Sequence, residues 1–378
     1  MLTRGASWSG AQEVRVRLGA SASTTEPAVL PEGTEVRALA YPALVGDPAV
    51  GDRVLLNVSA LARGLGTGGY ALVVALPDAP PPDPPAGPGH LVKARYTPLQ
   101  ALVLGVDEQE SVHHELLREA DDLGGLPVVV ADLHSAVPAI IAGARHAAEV
   151  AGSPAPRVAY VLTDGGALPA WFSQTVAGLR AAGWIEACVS AGQAFGGDLE
   201  AVTVHTALLA AHLVVGADLV VVAQGPGNLG TGTRWGFSGV AAGEAVNAAA
   251  TLGGRPIASL RVSGADARER HLGISHHSLT AYGRVALVPA DVVVPVFGPG
   301  PLEALGARVD EQARALEAPT GRHRLVHVDS GAPVLEALAA TPVRLSTMGR
   351  GLAQDPAAFL AAAAAGIHAM QPALQSDF

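Results

Sequence analysis

The sequence predicts an α/β protein: a mostly parallel β-sheet flanked by helices, preceded by a small N-terminal β-barrel or sandwich domain. Three observations carry this expectation. The periodicity changes near residue 90, the central strand-like runs are apolar on both faces, and polar glycine-rich segments follow those runs.

In residues 1–77, Glu13–Leu18 and Thr34–Tyr41 alternate polar and apolar residues, and Arg53–Val58 and Tyr70–Leu76 extend the pattern. Pro31-Glu32-Gly33 and Gly51-Asp52 mark turns. Four to six short strands without a convincing helix suggest a barrel or sandwich. Residues 78–90 read as a linker, because Pro77 to Gly89 carries seven prolines and no bulky apolar residue. Such a segment is extended and semi-rigid. The expected domains are therefore 1–77 and 91–378.

Beyond Leu91, strands and helices alternate. Expected strands are Ala101–Val106, Pro127–Ala131, Arg157–Leu162, Glu186–Ser190, Asp218–Ala223, Pro256–Arg261 and Arg284–Val288, with Leu325–Val328 and Val343–Ser346 extending the series. Ser111–Leu123, Ala139–Ala151, Pro169–Ala182 and Val240–Leu252 read as helices. Strands apolar on both faces and separated by helices imply a parallel sheet covered on both sides. Pro356–Met370 is the expected last helix, with Asp355 as N-cap and Pro356 at its first position.

Composition narrows the functional classes. With 49% hydrophobic and 15% charged residues, the 378-residue chain buries a large core. A net charge of −10 argues against general nucleic-acid or anionic-membrane binding. Cys188 is the only cysteine, which excludes an internal disulfide or a cysteine metal cluster. Met1 to Val16 lacks the apolar run of a signal peptide, and Ala201 to Ala223 is interrupted by His205, His212 and Asp218. A cytoplasmic protein is the expectation.

Ligands of open parallel sheets bind beyond the carboxyl ends of the strands. There the chain places Asp132-Leu133-His134-Ser135, Thr163-Asp164-Gly165-Gly166, a segment from Ala191 through Asp198 to Glu200, and Gln224-Gly225-Pro226-Gly227-Asn228-Leu229-Gly230-Thr231-Gly232-Thr233-Arg234. After Arg261 come Ser263, Asp266, Arg268, Arg270, His271 and Ser275-His276-His277-Ser278.

Gly225–Gly230 matches G-x-G-x-x-G. Pro226 lies between its first two glycines, and no second strand ending in an acidic residue follows at the right distance, so a dinucleotide is disfavoured. The loop suits an anion instead, through Gly225, Gly227, Asn228, Gly230, Thr231, Thr233 and Arg234. Arg261 and Arg268 are candidate anion ligands, although Arg268 could equally pair with Asp266. Candidate acid–base groups are His276, His277, Asp164, Asp198 and His134. Neighbouring histidines diverge on a strand or a helix, so one of His276 and His277 is expected to enter a pocket. A divalent metal is left open, with Asp132, His134, Asp198 and Glu200 as candidate ligands. The structural alternatives are turn glycines, aspartates as helix N-caps and histidines satisfied in the core.

Together, Gly51-Asp52-Arg53-Val54, Gly64-Leu65-Gly66-Thr67-Gly68-Gly69-Tyr70, Lys93-Ala94-Arg95-Tyr96-Thr97-Pro98, Asp164-Gly165-Gly166-Ala167-Leu168-Pro169, Ala194-Phe195-Gly196-Gly197-Asp198, the 225–236 loop and Ser275-His276-His277 resemble an uncharacterised bacterial family, a domain of unknown function. The resemblance spans essentially the whole chain. It implies a soluble bacterial protein and supplies no activity. The expectation from the residues is an enzyme acting on a small anionic metabolite, phosphorylated or not. The alternative is a non-catalytic ligand-binding or regulatory protein using the same pocket. Neither involves nucleic acid or membrane, and a homo-oligomer is left open.

Overall fold

The computed structural model describes residues 1–19, 30–83, 86–318 and 321–372. Contacts divide the chain into two units, Met1–Val103 and Leu104–Phe378.

In the first unit, β1 (Thr3–Trp8), β2 (Ala11–Arg17), β3 (Glu35–Ala40), β4 (Leu55–Asn57) and β5 (Ala71–Ala75) form one sheet in the order β1-β2-β3-β5-β4. Alternating Val14, Val16, Ala38, Ala40, Ala71 and Val73 supply its small core. Two single-turn helices, α1 (Pro42–Val45) and α2 (Ser59–Ala62), interrupt the strands. A separate hairpin pairs β6 (Leu91–Lys93) with β7 (Ala101–Val103). Of Ala101–Val106, the first three residues pair with Leu91–Lys93, while Gly105 makes an isolated bridge to Glu200 and the Val106 N–H donates to the Glu200 carbonyl (2.7 Å).

The second unit opens with α3 (His114–Leu117), a single turn in place of the long helix expected at 111–123. Ser111 Oγ donates to the Val106 carbonyl (2.6 Å), and His114 Nδ1 bonds the Asp107 carbonyl (2.8 Å). Such local side-chain bonds compete with helix propagation.

Strands and helices then alternate: β8 (Pro127–Val130), α4 (Val137–Val150), β9 (Val158–Thr163), α5 (Gln174–Ala181), β10 (Ala187–Ala191), β11 (Leu199–Ala201), α6 (Val204–Leu213), β12 (Leu219–Gln224), α7 (Ala241–Thr251) and β13 (Arg255–Ser259). A hairpin of β14 (Val262–Ser263) and β15 (Gly273–Ile274) leads to α8 (His276–Thr280). The chain continues through β16 (Asp291–Val296), α9 (Glu303–Ala313), β17 (Arg324–Asp329), α10 (Ala332–Ala339), the short pair β18 (Ser346–Thr347) and β19 (Arg350–Gly351), and α11 (Pro356–Ala369).

Eight of these strands form one all-parallel sheet in the order β11-β10-β9-β12-β8-β13-β16-β17. Alternate side chains of each strand enter opposite layers. Val128 and Val130 pack with Leu208 of α6, Val246 of α7 and Val309 of α9. Val129 packs with Ile140 of α4, Leu338 of α10 and Phe359 of α11. This two-sided burial explains the continuous apolar runs in the sequence. Helices α4 and α11 touch backbone to backbone: a Cβ at Gly143 would strike the Ala363 carbonyl, and one at Gly366 the Ile140 carbonyl.

Two expectations give way to tertiary context. Arg284–Val288 is no strand; Ala281–Val285 form a π-helical turn, and the strand follows at Asp291–Val296. Asp355 precedes α11 but does not cap it. Its carboxylate instead accepts from Ser263 Oγ (2.6 Å) and the Gly264 N–H (3.0 Å) and pairs with Arg350 (3.1 Å). Among the described residues, no helix is long and apolar enough to cross a membrane.

Strands β8 and β12 are neighbours, yet α4 and α7, which leave from them, lie on opposite faces. The chain therefore opens a crevice at their carboxyl ends, the place where such sheets bind ligands.

Candidate functional site

Asp132 follows β8 and Arg261 follows β13, the adjacent strand. Both line a cleft together with Ser259, Ser263, Asp266, Arg350 and Asp355. The Asp132 side chain is buried, and its Oδ2 has no hydrogen-bond partner. Burial pushes its carboxyl above the usual value, with the charge of Arg261 pulling part of the way back. A buried carboxyl of raised pKa in a cleft suits proton transfer.

The other charges around the cleft are already matched. Asp266 accepts from Arg268 Nε (2.9 Å) and Nη2 (3.0 Å) and from Arg350 Nη2 (3.1 Å). These arginines hold its carboxyl far below the usual range. Of the two alternatives for Arg268, pairing with Asp266 is the one formed. Arg350 is shared with Asp355. Arg261 differs: its Nη1 donates to His277 Nδ1 (3.1 Å), a neutral partner.

On the β12 side, Gln224 Nε2 donates to the Asp132 carbonyl (3.0 Å) and to Asn228 Oδ1, while its Oε1 is buried and unpartnered. The glycine loop beyond it is largely engaged with its own surroundings. A Cβ at Gly225 would strike the Ala167 carbonyl, and the Ala167 N–H donates to Pro226 (2.8 Å). Gly227 has φ +87°, a turn conformation that glycine supplies without strain. Gly230 forms an isolated bridge with Phe237, and the hydroxyls of Thr231 and Thr233 bond each other (3.1 Å). The Gly236 N–H donates to Thr233 Oγ1 (3.1 Å). Arg234 is exposed. The loop thus spends both threonine hydroxyls and several amides on its own hairpin.

His276 and His277 begin α8, which Ser275 caps by accepting the His277 N–H (3.2 Å). Both rings lie against the ring of His271, at centroid separations of 5.1 and 5.0 Å. The helix start presents both neighbours to the same third ring. His277 also stacks on Phe237 (3.8 Å, 3°), which follows the glycine loop.

The remaining candidates stand apart. His134 is buried, with Nδ1 bonded to Tyr160 Oη (2.9 Å) and Nε2 to Ser173 Oγ (2.8 Å). Tyr160 Oη donates onward to the Ala223 and Gln224 carbonyls (3.1 Å each), so the pattern assigns the histidine proton to Nδ1. Burial lowers the His134 pKa to about 4, and neither nitrogen is left for a metal or substrate. Asp164 is exposed and accepts the Gln193 N–H (2.9 Å), bracing the turn after β10. Asp198 accepts the Cys188 N–H (2.7 Å) and pairs with Arg180 (2.9 Å), which places it beside the first residues of β10 and away from the carboxyl end. Glu200 Oε1 accepts the Gly196 N–H (2.6 Å). The set Asp132, His134, Asp198 and Glu200 is thus dispersed. Among the described residues, the metal-capable side chains that converge are His271, His276 and His277.

The residue pattern by itself does not single out His271 and Gln224 as site residues. The spacing H-x4-H-H is the signal that could have marked the first, and only the β14–β15 hairpin gives it meaning.

No curated protein and no solved structure matches the chain. One family model, described as "Protein of unknown function (DUF3866)", matches residues 37–366, and the chain belongs to that family.

Proposed function

We propose that the protein is an enzyme acting on a small anionic metabolite, phosphorylated or carboxylated, in the cleft beyond β8 and β13. Arg261 holds the anion, and Asp132 gives or takes a proton. One observation carries this reading: a buried carboxyl with an unpartnered oxygen shares the cleft with an arginine whose hydrogen-bond partner is neutral. Arg268 and Arg350 serve Asp266 and Asp355 and so contribute little free charge. A non-catalytic binding protein would use Arg261 in the same way but has no need of Asp132, which favours the enzyme.

Calorimetric titration with inorganic phosphate tests the cleft. Arg261→Gln weakens binding about tenfold or more, the worth of one charge-assisted hydrogen bond. Asp132→Asn preserves or tightens it, because a competing negative charge is gone. Unchanged affinity in Arg261→Gln would remove this reading.

A further inference from the structure

The three histidines beside Arg261 form a cluster that the cleft reading does not use. The β14–β15 hairpin pairs Val262 with Ile274 and Ser263 with Gly273, so the chain doubles back and sets His271 against the start of α8. Ring centroids of His276 and His277 are 4.3 Å apart. One ring nitrogen from each of the three histidines lies within 4.8 Å of the others. His276 Nε2 is buried without a partner. His271 Nδ1 bonds Ser275 Oγ (2.8 Å), the oxygen contact that commonly orients a ligating imidazole. Stacking on Phe237 fixes the plane of His277. All three rings are held neutral: burial, then the positive charge of nearby arginines, lowers His271 to about 4 and His277 to about 3, and moves His276 the same way.

We propose that His271, His276 and His277 form a three-imidazole site for a divalent transition metal, with zinc as the best match, leaving the fourth position open to water or an anionic oxygen. Zinc takes neutral imidazole nitrogens at about 2.0–2.1 Å in tetrahedral geometry, which puts ligand nitrogens roughly 3.3 Å apart. The rings reach that spacing by closing about 1 Å each, within the range of small side-chain rotations.

The site makes a demand on Arg261. A guanidinium only donates, so the Arg261–His277 bond requires a lone pair on His277 Nδ1 and places the ring proton on Nε2. A metal at Nδ1 takes that lone pair directly. A metal at Nε2 takes the other lone pair, and the proton moves to Nδ1. In both cases the metal and the Arg261 hydrogen bond exclude each other. Metal binding therefore releases the guanidinium toward Asp132, its electrostatic partner in the cleft. This linkage, unlike the metal site itself, rests on the anion-binding reading above.

The test uses the full chain, stripped with a chelator and titrated with Co²⁺, then Zn²⁺. One Co²⁺ per chain is expected, with the intense visible bands of a four-coordinate ion, displaced by Zn²⁺. His276→Ala weakens binding about a hundredfold or more, beyond the usual loss for a merely supporting residue. Its metal-free melting temperature stays at the wild-type value, and His146→Ala, on α4 outside the cluster, binds as wild type. Absence of stoichiometric Co²⁺, or wild-type binding by His276→Ala, overturns the metal site. Arg261→Gln is expected to bind Zn²⁺ as tightly as wild type or more so while losing phosphate. If Zn²⁺ binds but phosphate ignores Arg261, the cleft reading falls and the metal site stands. If phosphate depends on Arg261 but Zn²⁺ does not bind, the metal site alone falls. A tenfold loss of Zn²⁺ affinity in Arg261→Gln overturns the mutual exclusion.

Discussion

Two polar clusters occupy opposite ends of the same parallel sheet and are built from the same residue types. At the amino end, Asp291 opens β16 and accepts from His368 Nε2 (2.8 Å) and Arg324 Nη2 (2.6 Å), while His368 Nδ1 bonds Gln371 Oε1 (3.2 Å). At the carboxyl end stand Asp132, Arg261 and His276, yet Asp132 Oδ2, Gln224 Oε1 and His276 Nε2 have no partner. Buried polar groups are normally satisfied, so orphans gathered at one end mark where an outside ligand belongs. The exception at the amino end, His323 Nδ1, is an unpaired lone pair on a ring whose Nε2 already bonds the Tyr282 carbonyl (2.8 Å). A satisfied cluster ties strands and helices together, whereas an unsatisfied one lowers stability in exchange for reactivity.

The contrast can be broken most directly at Asp291. Asp291→Ala leaves His368 and Arg324 without their acceptor and is expected to cost about 3 kcal/mol, read from urea unfolding. A loss under about 1 kcal/mol would erase the distinction between the ends.

The two aspartates also titrate with opposite signs. Burial pushes Asp291 up, but the His368 hydrogen bond and Arg324 outweigh it, so its pKa lies below 3.8 in the folded protein. Its contribution to stability is present above about pH 4 and is lost as pH falls through the folded value. Asp132 is raised above 3.8, so its contribution is full below about pH 4 and is lost as pH rises through the folded value. Melting temperatures are expected to show Asp132→Asn gaining on wild type as pH rises above about 4, and Asp291→Asn falling behind wild type as pH rises toward about 4, with no further change for Asp291→Asn above it. Parallel profiles for the two variants would refute the assignment.

The smallest effect sharpens the comparison. Asp198 belongs to the satisfied kind, in a half-exposed pair with Arg180. Asp198→Asn is expected to cost under about 1 kcal/mol and to leave phosphate titration untouched.

Much of the fold was legible along the chain. Val128–Val130, Val158–Leu162 and Leu219–Ala223 read as doubly covered strands because both of their faces are apolar, and they became β8, β9 and β12. The long helices α4, α7 and α11 follow from apolar runs of ordinary helix length. Short elements were not legible. Leu199–Ala201 is a three-residue strand defined by its pairing with β10, and the apolar run after Arg284 has no pattern to separate strand from π-turn.

The site divides along the same line. That Asp132, Gln224 and Arg261 stand at strand ends could be read from the sequence, because a polar residue following a buried apolar run has to lie where the run emerges from the core. That Asp132 shares a cleft with Arg261, that Asp198 lies at the other end, that His134 is locked between Tyr160 and Ser173, and that His271 joins His276 and His277 were decided by the tertiary structure. Strand order in a parallel sheet and the folding-back of a hairpin bring together residues far apart in the chain, and local propensity extends only a few residues in either direction.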